Sequence, residues 1–149
     1  MSPDFEELLR AFSDRGVEHL VVGAHALAAH GHVRATKDLD VWIRPTPENA
    51  ARAYQALADF GAPLAELEEA DLAVPGTIFQ IGVAPLRIDV LTEIDGLNFE
   101  EAWAGRVPAR LGSVATAVLS REHLIRNKRA SGRLQDLADV ERLERGDED

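Results

Sequence analysis

The chain of 149 residues contains no cysteine, which excludes disulfides and thiolate metal sites and suits a reducing compartment. Long apolar runs are also missing. No stretch approaches the roughly 20 residues of a membrane-spanning helix, and no signal-peptide pattern opens the sequence. A cytoplasmic protein with no membrane partner is the expectation. Positive charge is scarce, with 16 Lys and Arg against 26 Asp and Glu and a formal net charge of −10. Such a balance excludes a broad, non-specific nucleic-acid surface, which relies on clustered cations to release counterions. A local basic patch is still compatible with it, because acids crowd residues 66–71 and 141–149. No internal repeat or low-complexity segment interrupts the chain. His25, His30 and His32 straddle a helix and a loop without the spacing of a zinc site.

What is present fits one domain over residues 1–149, since 46% hydrophobic and 28% charged content supports a single buried core. The organising stretch is residues 21–43, VVGAHALAAHGHVRATKDLDVWI. An apolar strand ends at Gly23, a short helix follows from Ala24, and a second strand alternates acids with apolar residues. Side chains on a strand have a period of two, so Leu39, Val41 and Ile43 face one way and Asp38 and Asp40 the other. Asp is a poor strand former, and two of them in an otherwise apolar strand point to ion binding rather than solvation. Residues 85–92, PLRIDVLT, alternate in the same manner, with Ile88 and Val90 on one face and Arg87, Asp89 and Leu91 on the other. If the two strands are neighbours, Asp89 joins Asp38 and Asp40. Three carboxylates at close range repel, and a divalent cation with oxygen ligands relieves that repulsion.

The rest of the chain supplies scaffold. Ser2 and Pro3 open a first helix with Phe5, Leu8, Leu9 and Phe12 as its apolar stripe. Thr46-Pro47-Glu48 opens another that runs to about Phe60. A short helix is expected over residues 64–72, then a strand from Thr77 that forms a hairpin with the Asp89 strand. Trp103 is expected as a core anchor on a brief helix, followed by two short strands around Gly112. Ser120 caps a helix reaching about Ala130, and the last helix, residues 133–145, has Leu134, Leu137, Val140 and Leu143 as its apolar side.

A strand ending in Gly-Ala, a short helix, Arg-x-Thr-x-Asp-Leu-Asp and a later lone Asp in an apolar strand resemble the nucleotidyltransferase superfamily that includes polymerase β. Within it the chain is similar to minimal bacterial proteins of the AbiEii toxin–antitoxin type. The resemblance covers residues 17–92 and continues over 118–145. It implies an α/β fold, a mixed β-sheet flanked by helices with further helices at the C-terminus. It also implies Asp38, Asp40 and Asp89 as catalytic residues and ligands of Mg²⁺ or Mn²⁺. Gly23 and Ala24 match the turn that cradles the NTP phosphates, although the family usually has Gly-Gly or Gly-Ser there. Arg34 and Thr36 match a phosphate-touching pair, and the tail LIRNKRASGRLQDLADVERL resembles a signature in which Lys128 and Arg133 neutralise triphosphate charge while Asp136 orients one of them. On the residues alone, those three read equally well as an interhelical salt-bridge set. The implied reaction moves a nucleoside monophosphate from an NTP to an acceptor hydroxyl: an RNA or tRNA 3′ end, a protein, or an aminoglycoside-type small molecule. A homodimer or an antitoxin partner would complete acceptor recognition. A non-catalytic nucleotide-binding module of the same fold is the alternative.

Overall fold

The structure, a computed structural model, describes residues 2–32, 38–83 and 86–145. The chain forms helix α1 (Pro3–Asp14), strand β1 (His19–Val22), helix α2 (Gly23–Ala29), strand β2 (Asp38–Ile43) and helix α3 (Pro47–Phe60). Strands β3 (Ile78–Val83) and β4 (Leu86–Leu91), helix α4 (Phe99–Ala104), strands β5 (Val107–Leu111) and β6 (Val114–Val118), and helices α5 (Arg121–Ser131) and α6 (Leu134–Glu144) follow. The six strands make one mixed sheet in the order β3-β4-β2-β1-β6-β5. This is the expected helix-flanked α/β architecture, and the helix starts follow the expected chemistry. Ser2 and Thr46 accept hydrogen bonds from the backbone amides of Asp4 and Asn49, and each is followed by proline.

Register decides which residues share a face. β2 runs parallel to β4 with Asp40 opposite Asp89 and Trp42 opposite Leu91, and antiparallel to β1 with Val22 opposite Asp40. On one face Leu39, Val41, Ile43, Ile88 and Val90 are buried. His19, opposite Ile43, meets Phe12 of α1 edge-on there, with α3 packed beside α1. On the other face Trp42 is buried against Phe99 of α4, with ring centroids 5.0 Å apart. Asp40, one step along the same face of the strand, lines a cleft.

Three expectations are corrected. Residues 64–72 do not form a helix. Leu67 closes a turn onto Leu64, and Glu68 and Asp71 then cap a separate 3-10 turn, Glu69–Ala73. That reciprocal cap ends any helix begun upstream. Trp103 is only partly buried, stacked on Phe99 with the Arg106 guanidinium 3.9 Å from its ring centre, and Trp42 fills the anchoring role. The apolar side of α6 is also different. Leu134 and Leu137 are 88% and 48% exposed, and Asp136 and Asp139 turn inward beside Val140 and Leu143.

One buried polar side chain ties the sheet to α3. Asn49 donates to the carbonyls of Glu18 and Arg44 at 3.0 Å each, and its Oδ1 accepts from the Glu18 amide at 2.8 Å. It joins the entry to β1, the exit of β2 and the first turn of α3. Replacing it with leucine leaves the Glu18 amide without a partner, at about 1–3 kcal/mol if it stays dry, while the Glu18 and Arg44 carbonyls keep their bonds from the Arg44 and Thr46 amides. Asn49→Leu is expected to lower the unfolding free energy by about 2 kcal/mol in urea titration.

Candidate active site

The parallel pairing of β2 with β4 sets Asp40 directly beside Asp89 in the middle of the sheet, and Asp38 follows on the same face. Neighbouring strands lie about 4.8 Å apart, so these carboxyl groups cannot avoid one another. The pKa of Asp40 is pushed up to about 6, first by burial, then by the charges of Asp89 and Asp38 and by a hydrogen bond shared with Asp89. The three acids thus meet on one face as the alternation predicts.

Arg87 stands among them. Its register partner on β2 is Asp38, and its guanidinium lies 3.3 Å from Asp38 Oδ2 and 3.3 Å from Asp89 Oδ2. Its Nε is 3.1 Å from Asp89 Oδ1, close enough for an ion pair but poorly aligned for a hydrogen bond. Among the described residues no three acidic or histidine side chains form a ready-made metal cage, and Arg87 is the charge that holds two of the carboxylates instead. The donor chemistry nevertheless suits Mg²⁺ or Mn²⁺: hard carboxylate oxygens gathered on one face of the sheet, with Asp40 penalised for carrying its charge there.

Gly23 closes one side of the cluster. It opens α2 at φ +68°, and a Cβ there would lie 2.4 Å from Asp40 Oδ2. Only glycine allows the backbone this close to the carboxylate. Ala24 is absent from the cleft lining, so of the expected Gly-Ala pair the structure brings only Gly23 to the acids. Arg34 and Thr36 lie outside the described residues.

The opposite wall comes from the C-terminal helices. Gly96 fits against α5 so closely that an added Cβ would sit 2.7 Å from the Ala130 Cβ. Asn127 and Arg126 donate to the carbonyls of Asp95 and Gly96, and Ser131 donates to the Asp95 carboxylate. This seating brings Lys128 and Arg133 to the cleft. Lys128 is 8% exposed, and its Nζ lies 3.1 Å from Asp139 and 3.6 Å from Asp136. Arg133 holds Asp136 through its backbone amide and through Nε at 2.7 Å. Burial pushes the Asp136 pKa up, but the hydrogen bond and charge of Arg133 and the charge of Lys128 outweigh it and hold that carboxyl low. The salt-bridge set and the cleft position, alternatives in sequence terms, coexist.

The cleft between these walls has a volume of about 500 Å³ and is lined by Gly23, Asp40, Ile78, Glu93, Lys128 and Arg133 among others. A second concavity of about 520 Å³ lies on α5 around Arg121, Arg126 and Arg129 with Glu122 and Glu144, and none of the three aspartates lines it. Arg87, Glu93 and Asp95 have no place among the sequence-derived site residues. Only the position of Arg87 on the Asp89 face of its strand hinted at such a role.

No family model matches the chain, and no curated protein matches it. Solved structures do. The antibiotic-resistance factor ANT(2'')-Ia superposes with a TM-score of 0.64 at 13% identity over 98% of this chain and 83% of its own. The lincosamide antibiotic adenylyltransferase LnuA, solved with lincomycin bound, gives 0.60 at 12% identity over 97% and 96%. A candidate nucleotidyltransferase from Thermotoga maritima gives 0.59 at 15% identity over 98% and 94%. Likeness at this level of identity speaks to architecture, and with nearly the whole of each chain superposed, it gives this chain the nucleotidyltransferase fold.

Proposed function

We propose that the protein is a nucleotidyltransferase that moves a nucleoside monophosphate from an NTP to an acceptor hydroxyl. The observation that carries this reading is the side-by-side placement of Asp40 and Asp89, with Asp38 on the same face, where Asp40 lines a cleft whose far wall presents Lys128 and Arg133. Asp38, Asp40 and Asp89 would hold Mg²⁺ or Mn²⁺, which when bound supplies Lewis-acid activation and charge neutralisation at the phosphates. The chain's own groups do the rest. Lys128 and Arg133 offset negative charge on the departing pyrophosphate. Gly23 lets the backbone of α2 approach the phosphates beside Asp40. The acceptor oxygen bonds to the α-phosphorus as the bond from that phosphorus to the bridging oxygen breaks. Asp40, beside the Gly23 backbone at the cleft, takes the hydroxyl proton. No protein nucleophile is needed.

Glu93 and Asp95 favour a small hydroxyl compound as acceptor, because they add negative charge to the cleft where an RNA strand would bring its own phosphates. LnuA was solved with lincomycin, and ANT(2'')-Ia with adenylyl-2''-tobramycin.

Three outcomes are expected. With Mg²⁺ and α-labelled NTP, the protein transfers label to an acceptor from a panel of amine-bearing alcohols or from total tRNA, and Asp40→Asn lowers the rate at least 100-fold, about what loss of one key electrostatic group costs. No transfer to either class, alongside NTP binding without pyrophosphate release, would mark a non-catalytic module. Gly23→Ala forces Asp40 aside and is expected to slow transfer about 100-fold, while circular dichroism stays unchanged. The third outcome concerns stability in EDTA. The folded protein holds a proton on Asp40 more tightly than the unfolded chain does, so the ionised carboxylate destabilises the fold above about pH 6, and the penalty disappears as pH falls below the ordinary carboxylate range. Asp40→Asn is therefore expected to stabilise the metal-free protein by about 2 kcal/mol at pH 8 and hardly at pH 4, measured by denaturant titration.

A further inference from the structure

We propose that Arg87 is a displaceable counter-ion, occupying Asp38 and Asp89 in the metal-free protein and giving way when the divalent ion arrives. The inference rests on the reading of the acid cluster as a metal site. Arg87 bridges two of the three carboxylates, with contacts of 3.3 Å to Asp38 and 3.1 and 3.3 Å to Asp89. It therefore takes up oxygens that the ion would need. Arginine does not lose its proton in proteins, so its fixed charge and N–H donors compete with a cation for those oxygens until the side chain moves aside. The surroundings permit that movement. The Arg87 side chain is 38% exposed, and its neighbour on β3 is Gly82, which puts no side chain next to it on the sheet. Lys128 and Arg133, by contrast, are tied to carboxylates of the helical wall, Asp136 and Asp139, that do not belong to the cluster.

A residue in this position does two things. Without metal it keeps three like charges from forcing β2 and β4 apart. It also raises the concentration at which a bare cation can load, so that occupancy favours an ion arriving with its nucleotide, whose phosphates add ligands. A purely structural arginine would do only the first.

Calorimetric Mn²⁺ titration of the full chain separates these roles. Arg87→Met is expected to bind Mn²⁺ about five- to tenfold more tightly than the unaltered protein, roughly the effect of removing one or two half-exposed ion pairs and a nearby positive charge. Its melting temperature in EDTA is expected to fall by about 3–5 °C, with Mn²⁺ restoring it. Arg87→Lys keeps the charge but loses the two-armed bridge, so it should fall between the two. Mg²⁺ should also shift the Arg87 Nε–H resonance in nitrogen-15 spectra. Unchanged or weaker Mn²⁺ binding in Arg87→Met would overturn the proposal, as would Arg87→Lys with the unaltered affinity, which would reduce the effect to charge at a distance. If Asp40→Asn leaves Mn²⁺ binding intact, or if no variant binds the ion, the metal-site reading itself fails. Loss of binding in Asp40→Asn with no gain in Arg87→Met condemns only the role of Arg87.

Discussion

The pairing of Asp40 with Asp89 across two parallel strands is the constraint on which the rest depends. Adjacent carboxylates in mid-sheet are unfavourable on every count that normally selects strand residues: propensity, desolvation and like-charge repulsion. The fold tolerates them because the sheet has two unlike faces. One is closed by α1 and α3 over continuous apolar rows, while on the other α4 packs on Trp42 and a cleft opens at Asp40. The hydrophobic face and the Trp42–Phe99 contact supply the stability against which the acid cluster draws.

Around the cluster, each neighbour answers its charge differently. Gly23 contributes a bare backbone where any side chain would collide with Asp40. Arg87 contributes a guanidinium from within the same sheet. The α5–α6 wall contributes cations already committed to Asp136 and Asp139. This last arrangement is the more rigid, because Lys128 is buried and a buried cation stripped of its partners is strongly unfavourable. Lys128 and the aspartates of α6 therefore stand or fall together as a unit of the helical pair.

Strand alternation made the acid-bearing face legible, since a period of two leaves Asp38 and Asp40 no other side from Leu39 and Val41, and the hairpin of β3 with β4 followed from its turn residues. Glycine at the end of β1 was legible for the same reason: an apolar strand that stops at a glycine marks a special backbone position. The orientation of α6 was not. Apolar periodicity assigned Leu134 and Leu137 inward, but burying Lys128 requires carboxylates beside it, and that requirement turned Asp136 and Asp139 into the interface. A pattern method that scores acids as surface cannot see a buried ion pair before the partner helix is known. The same blindness hid Asn49, whose value lies in backbone groups of two residues, Glu18 and Arg44, on different strand ends, and the choice between Trp42 and Trp103, which depends on where α4 packs on the sheet.

The seating of α5 on the 95–96 loop has a further consequence. Asn127 and Arg126 hold that loop through its main-chain carbonyls, which every amino acid carries, and the tight spot beside Ala130 constrains only Gly96. Glu93, on the cleft side just before it, is under no such obligation. Descendants of this chain can thus exchange the residues that greet an incoming molecule without unseating the helix that faces it, and drift toward new chemistry would begin there.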